Sequence, residues 1–195
     1  MKVSRLEKWF MNRPQHADRT IVRADRLIRF VDFNNQTNFL EVGCGSGAVS
    51  NYVAKRYSLE VVGTDIDLEQ IRLAQQNTGN LKNLRFFEAD ATNLPFNNNE
   101  FDLVLSFGVM HHIPEWLAAL VEICRVLNVG GHFIYWDLVY RGLSLRLARL
   151  FKSRYGATTL GEINELLDRN HLAIIHSSLK KSIMFDEYEA VYVKR

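Results

Sequence analysis

Short apolar runs alternate with stretches whose apolar residues recur at helical spacing through most of the chain. Asn38–Val42 is apolar and stops at a cluster of glycines, which predicts a strand. Residues 47–57 carry Val49, Tyr52, Val53 and Ala54 on one helical face. Residues 59–64 predict a second strand. Residues 67–77 predict a helix, with Asp67 as its N-cap and Gly79 past its end. Leu84–Glu88 is a third strand, and residues 97–99 form a turn. Residues 101–106 are a nearly continuous apolar strand, the kind buried on both faces. A helix over 114–127 follows, with Pro114 in its first turn. Trp116, Leu117, Leu120, Val121, Cys124 and Leu127 form its apolar face. Gly130 and Gly131 end it, and residues 132–138 are a fifth strand.

Strands alternating with helices predict right-handed βαβ units and a parallel sheet. The pattern changes after Tyr140. Leu160–Arg169 reads as a helix, and residues 172–177 and 187–193 then read as two strands with no helix between them. A hairpin-like ending on a parallel sheet is a specific topological signal. The residues before Asn38 are mostly helical, with Ile21, Leu27, Ile28 and Val31 as their apolar positions. Neither a repeat nor a linker interrupts the pattern. Residues 1–195 therefore read as a single domain, with 1–37 as a helical cap segment and 139–160 as a second one.

Composition narrows the class without changing this picture. The chain has 195 residues, 47% hydrophobic and 24% charged. That is one domain's length, and disordered or low-complexity classes are excluded. Two cysteines, Cys44 and Cys124, make neither a disulfide framework nor a four-ligand zinc site, which fits a reducing, cytoplasmic setting. The longest uncharged runs, 42–54 and 103–114, fall short of the ~18 apolar residues of a membrane span. The charged first residues do not read as a signal peptide. No clustered Asp and His ligands appear, so no metal is expected.

Charge does change the picture. Residues 1–37 hold eight basic and four acidic residues, and residues 141–195 hold ten basic and six acidic. The middle, 38–140, holds six basic and twelve acidic residues. An acidic centre thus lies between two basic flanks.

The most informative segment is Leu40-Glu41-Val42-Gly43-Cys44-Gly45-Ser46-Gly47. Glycines at alternate positions between a strand and a helix allow a sharp turn and close approach to a ligand. The following helix offers free N–H groups to a carboxylate or phosphate. Gly43, Gly45 and Ala48 also fit the loose dinucleotide pattern, and Asp65, about 20 residues on, suits the ribose diol of either cofactor. Glu41 discriminates, because a carboxylate two positions before the first glycine can meet an ammonium group, which dinucleotides lack. Asp90-Ala91 follows the third strand, where an acid can accept from an adenine amino group. Ser106-Phe107-Gly108 ends the fourth strand, on the side where ligands sit in open α/β sheets.

These residues resemble the successive motifs of class I S-adenosylmethionine (SAM) dependent methyltransferases. The resemblance runs from Glu41–Gly47 through Val62-Gly63-Thr64-Asp65, Glu88-Ala89-Asp90-Ala91 and Phe101-Asp102-Leu103-Val104 to His111-His112. Arg125-Val126-Leu127-Asn128-Val129-Gly130-Gly131 continues it, with Val129 where that family usually has proline. It implies a Rossmann-like α/β fold with a seven-stranded, mostly parallel sheet of order 3-2-1-4-5-7-6, the last strand antiparallel, and helices on both faces. It is closest to the small-molecule branch. Carried over, Glu41, Gly43, Cys44, Gly45 and Gly47 line the methionine end of SAM. Asp65 holds the ribose hydroxyls, and Ile66 packs on the adenine. Asp90 and Ala91 contact the adenine edge, and Ser106, Phe107 and Met110 face the sulfonium.

Methyl transfer from a sulfonium is an in-line displacement, and a base is needed only when the nucleophile carries a tightly held proton. His111 and His112 are the candidate bases, with a lining or packing role as the plainer alternative; His16 is a weaker candidate. Asp67 reads as a cap and Asp102 as structural. Cys124, on a core helix face, behaves as a small hydrophobe. The fourth strand does not end in Asn/Asp-Pro-Pro-Tyr/Phe, and no Pro-Cys motif appears, so methylation of nucleic-acid bases is disfavoured. The expected acceptor is a small molecule. A non-catalytic SAM-binding regulator or partner subunit, and a methyltransferase acting on a lipid-like substrate at a membrane surface, stay open. The basic stretch 141–154 and the N-terminal segment with Trp9, Phe10 and Arg13 are the natural caps over the cofactor. Basic stretch 141–154 also reads as a solvated face or a membrane-surface contact. Nucleic-acid binding does not fit basic flanks around an acidic centre.

Overall fold

The computed structural model describes residues 13–32, 37–141, 145, 156–183 and 185–195. Trp9, Phe10 and most of the basic stretch 141–154 lie outside them. Helix α1 (Pro14–Ile28) leads into β1 (Asn38–Val42), α2 (Ala48–Arg56), β2 (Glu60–Asp65), α3 (Leu68–Asn77) and β3 (Leu84–Glu88). Then come β4 (Phe101–Phe107), a single 3-10 turn at Met110–His112, α4 (Trp116–Val126) and β5 (Leu127–Val139). Helix α5 (Leu160–Arg169) precedes the last two strands, β6 (Leu172–Lys180) and β7 (Asp186–Lys194).

The seven strands form one sheet of order β3-β2-β1-β4-β5-β7-β6. Parallel pairing joins β1 to β2 and β4, β2 to β3, and β4 to β5. Strand β7 runs antiparallel to both β5 and β6. The expected Rossmann-like topology is therefore the observed one.

Successive strand residues point to opposite faces, and both faces are covered. Leu40, Val104 and Phe133 belong to a core shared with Leu120 and Ile123 of α4 and Ile163 of α5. Their neighbours Phe39, Leu103 and Ile134 belong to the opposite core, with Leu27 of α1, Val53 of α2 and Ile71 of α3. Burial on both sides is why these strands carry no polar alternation. Each fully buried Leu or Phe contributes about 1.5–3 kcal/mol.

Two sequence expectations need correction. Leu117 and Val121 are 46% and 45% exposed, while Ala119, Ile123 and Val126 are buried. Positions 117 and 121 lie one turn apart on a row that turns away from the sheet, and Leu117 instead borders a hollow against Leu166 of α5. Gly130 and Gly131 do not end a helix, because α4 stops at Val126. The β4–β5 register steps from Phe101↔Leu127 to Leu103↔His132, so the extra residues bulge. Gly130 takes φ +80 there, and a Cβ on Gly131 would lie 2.9 Å from the Asp102 carbonyl oxygen.

Helix α1 packs Ala24, Leu27 and Ile28 inward. Its polar residues reach two elements. Asp25 Oδ1 accepts from Tyr52 at 2.5 Å and from Tyr57 at 3.2 Å, fixing α1 to the end of α2. Arg26 makes a two-pronged bond to Glu189 of β7, both arms at 2.7 Å, and Arg23 donates to Glu187 at 3.1 Å. Among the described residues, no helix is long and apolar enough to cross a membrane.

Candidate functional site

The glycine loop turns where β1 meets α2. The backbone N–H groups of Gly43 and Cys44 both donate to the Thr64 carbonyl, at 2.7 and 2.8 Å, which ties the loop to the end of β2. Gly43 and Gly47 take φ of +76 and +78. A Cβ on Gly43 would collide with Val109, and one on Gly47 would lie 2.6 Å from Phe86 Cζ. Both the left-handed backbone and the tight packing exclude a side chain at these positions.

The acids divide as the sequence suggests. Asp67 caps α3, accepting from the Glu69 N–H at 3.0 Å. Asp102 accepts from the Thr37 and Asn38 N–H groups and from Asn128, pinning the start of β1 to β4 and the bulge. Asp65 stands at the end of β2, with Gly45 N–H donating to Oδ2 at 3.0 Å and Asp67 N–H to Oδ1 at 2.9 Å. A carboxylate oxygen can accept more than one hydrogen bond. Asp90 holds its own turn, accepting from the Thr92 N–H at 2.9 Å.

Glu41 is only 4% exposed, and Ser50 donates to its Oε2 at 2.5 Å. Burial pushes its carboxyl up to about 8, against the pull of the Ser50 bond and with a further push from the Asp65 charge.

A cleft runs along the C-terminal ends of the central strands, in two parts. One part is lined by Asp65, Ile66, Asp90, Ala91, Val109 and His112. The other is lined by Glu41, Cys44, Gly45 and Ser46, with His16, Ala17 and Thr20 of α1 as its cover. Gly43 and Phe107 line both parts and mark their junction. Ser106 and Met110 are fully buried and line neither. Met110 joins the core around α4, because its backbone N–H is drawn onto the buried Asp137 carboxylate at 2.7 Å. Its predicted place facing a ligand is corrected accordingly. Ser106 Oγ is buried with no hydrogen-bond partner among the described residues.

A family model described as a methyltransferase domain matches residues 40–135. A phthiotriol/phenolphthiotriol dimycocerosates methyltransferase of Mycobacterium leprae is 38% identical over 100 residues, 51% of this chain and 37% of that protein. A demethylmenaquinone methyltransferase of Staphylococcus saprophyticus is 32% identical over 112 residues, 56% of this chain and 48% of that protein. The matches thus span less than half the length of either relative. A geranyl diphosphate methyltransferase solved in complex with SAM superposes with a TM-score of 0.76 at 12% identity, over 94% of this chain and 92% of that one. The matched segment carries the glycine loop and Asp65, and the sheet has the family's strand order. Residues 40–135 belong to the class I SAM-dependent methyltransferase family.

The site fits the family's cofactor. A buried carboxylate held protonated near neutrality, as Glu41 is, is what an incoming ammonium would ionise. The N-terminus of α2 and the side-chain-free turn at Gly43 suit the carboxylate beside that ammonium. Both cysteines are buried, and burial raises both thiols well away from reactive thiolates, Cys124 to about 12.

The two histidines separate. His112 lines the Asp65 part of the cleft. His111 lies behind it, ring centroids 3.9 Å apart, with Nδ1 at 2.5 Å from Asp137 Oδ1. Asp137 is fully buried and also accepts from the Leu138 N–H at 2.7 Å. The sequence reading passed over Asp137. The available signal was a lone acid at the cleft end of an otherwise apolar strand. Trp136 was also missed: its ring meets Phe107 edge-on at 6.4 Å and carries the Arg23 guanidinium at 4.0 Å from its centroid.

Proposed function

We propose that the chain transfers a methyl group from SAM, by in-line displacement, to a small-molecule acceptor with an extended apolar or aromatic body. The observation that carries this reading is the junction at Gly43 and Phe107, where the two parts of the cleft meet. From there a groove opens past Trp136, sharing His16 and Thr20 with the Glu41 part. The M. leprae and S. saprophyticus relatives are named for a lipid-like and a quinone-type acceptor, which supports an acceptor of this shape.

Glu41 would hold the cofactor's ammonium and Asp65 its ribose hydroxyls. Ile66 would pack on the adenine, with Asp90 and Ala91 at its edge. When bound, SAM supplies a methyl group already activated by its sulfonium charge. The chain's own part is to align a nucleophile about 3 Å from that carbon and to exclude water. Phe107 and Trp136 wall the junction. His112, which lines the cleft, would remove the acceptor's proton, with His111 packed against its ring and held by Asp137 as the positioning pair behind it. Asp137→Asn should move the pH profile of turnover while leaving SAM affinity within about twofold. An unmoved profile would remove Asp137 from the mechanism.

Calorimetry with SAM and S-adenosylhomocysteine tests the cofactor assignment, and no binding at millimolar ligand would overturn it. Transfer of a labelled methyl group into a metabolite extract tests catalysis. Binding without transfer would instead support a non-catalytic SAM-binding regulator.

A further inference from the structure

The groove beyond Trp136 has a volume of about 720 Å³, within the roughly 300–1,000 Å³ range of small-molecule sites. Its floor is Trp136 and Leu138 of β5, with α1 on one side and the β6–β7 hairpin on the other. Arg19, Arg23 and Arg26 enter from α1, and Lys180 from β6. The acids lining it are Asp18 and Glu187, and Glu189 adjoins them.

Those charges do not cancel. Glu189 is taken by the two-pronged bond from Arg26. Glu187 is shared between Arg23 at 3.1 Å and Lys180 at 3.5 Å. Arg19 is exposed and forms no ion pair among the described residues. The excess positive charge is felt at His16, whose imidazole lies below its ordinary value through burial and then through the Arg19 and Arg23 charges. Trp136 adds a donor, because its Nε1–H is buried with no acceptor among the described residues. Arg23 lies over the same ring, 4.0 Å from its centroid, which puts a guanidinium beside an aromatic surface. Planar guanidinium groups bind carboxylates and phosphates two bonds at a time.

Resting on the methyl-transfer reading above, we infer that this groove holds the acceptor by an anionic group, a carboxylate or a phosphate, bound by Arg19 and Arg23 with help from Lys180. The acceptor's apolar body then lies along Trp136 toward Phe107. Anion binding is the anchor, and the methylated atom lies at the other end of the molecule.

The test uses octanoate, octyl phosphate, octanol and inorganic phosphate, titrated into the full chain with S-adenosylhomocysteine present. Octanoate or octyl phosphate should bind at least tenfold more tightly than octanol, and the tighter of the two names the anionic group. Inorganic phosphate should bind more weakly than octyl phosphate, because it lacks the chain that lies on Trp136. Arg19→Gln combined with Lys180→Gln should weaken both anions fivefold or more and leave octanol unchanged. Both side chains are exposed, and thermal unfolding of the double variant reads its fold independently. Equal binding of anions and octanol, no binding of any probe, or anion binding indifferent to the substitutions overturns the inference. If S-adenosylhomocysteine itself fails to bind, the cofactor reading has failed; if it binds and the anions show no preference, only the groove inference has.

Discussion

Burial raises the Glu41 carboxyl, and this gives the chain a definite pH signature. Its carboxyl lies at about 8 in the fold, above its ordinary 4.5. Between those values the folded chain holds a proton that the unfolded chain has released. Its contribution to stability is full below about 4.5 and is lost as pH rises through about 8. Burial lowers His16 and His132, which act in the opposite sense near neutrality. The difference between wild type and Glu41→Gln isolates the glutamate. Thermal melts of the cofactor-free chain from pH 5 to 8.5 should fall more steeply for wild type than for Glu41→Gln. The same substitution should weaken SAM about tenfold or more, through loss of a charge-assisted bond. Asp65→Ala should weaken SAM roughly 10–100-fold by the same argument, as read by calorimetry. An unchanged dissociation constant would refute the ribose assignment. Asp65→Ala also strips acceptors from Gly45 and Asp67, so its melting temperature should fall as well.

At the scale of elements, α1 covers the Glu41 part of the cleft only as firmly as its anchors hold it. Arg26→Ala removes a two-pronged bond and leaves Glu189, 9% exposed, without that partner. The cost should be about 1–2 kcal/mol, moderated because the Arg26 side chain is half exposed. Hydrogen exchange should quicken along α1, and Glu189→Gln in the same chain should recover part of the loss. Central strands were the most legible elements. β1 coincides with the apolar run at Asn38–Val42, because burial on both faces leaves an uninterrupted pattern, while the edge strand β3, buried only at Leu84 and Phe86, coincides with Leu84–Glu88. The faces of α4 were not legible, since Leu117 and Val121 are as apolar as the residues that pack. Only the position of the sheet decides between the two rows. The glycine loop, Glu41 and Asp65 could be read because each breaks the local pattern. Asp137 and Trp136 escaped because their partners, His111 and Arg23, come from segments 26 and more than 100 positions away.

At the scale of the whole molecule, the division into basic flanks and an acidic centre takes a different form from the one the chain suggests. Arg23 and Arg26 of the first flank are met by Glu187 and Glu189 of the second, not by acids of the centre. The flanks face each other across the groove, and Glu41, Asp65, Asp90 and Glu115 of the centre line the cleft. Raising ionic strength should therefore weaken anionic acceptors while leaving SAM affinity nearly unchanged, because exposed charges are screened and the buried Glu41 is not. Calorimetry at low and high salt checks this.

The bond between Arg26 and Glu189 spans 163 positions. During synthesis, the strands and the glycine loop are complete long before β7 exists to receive α1. Until then the helix rests on its core face and on the Asp25 tie to α2, and closing so long a loop is entropically costly without its reward. The second anchor of the helix over the Glu41 part of the cleft therefore arrives late in the making of the chain. A stalled or truncated product ending before β7 would carry nearly every motif of the family and lack that second anchor.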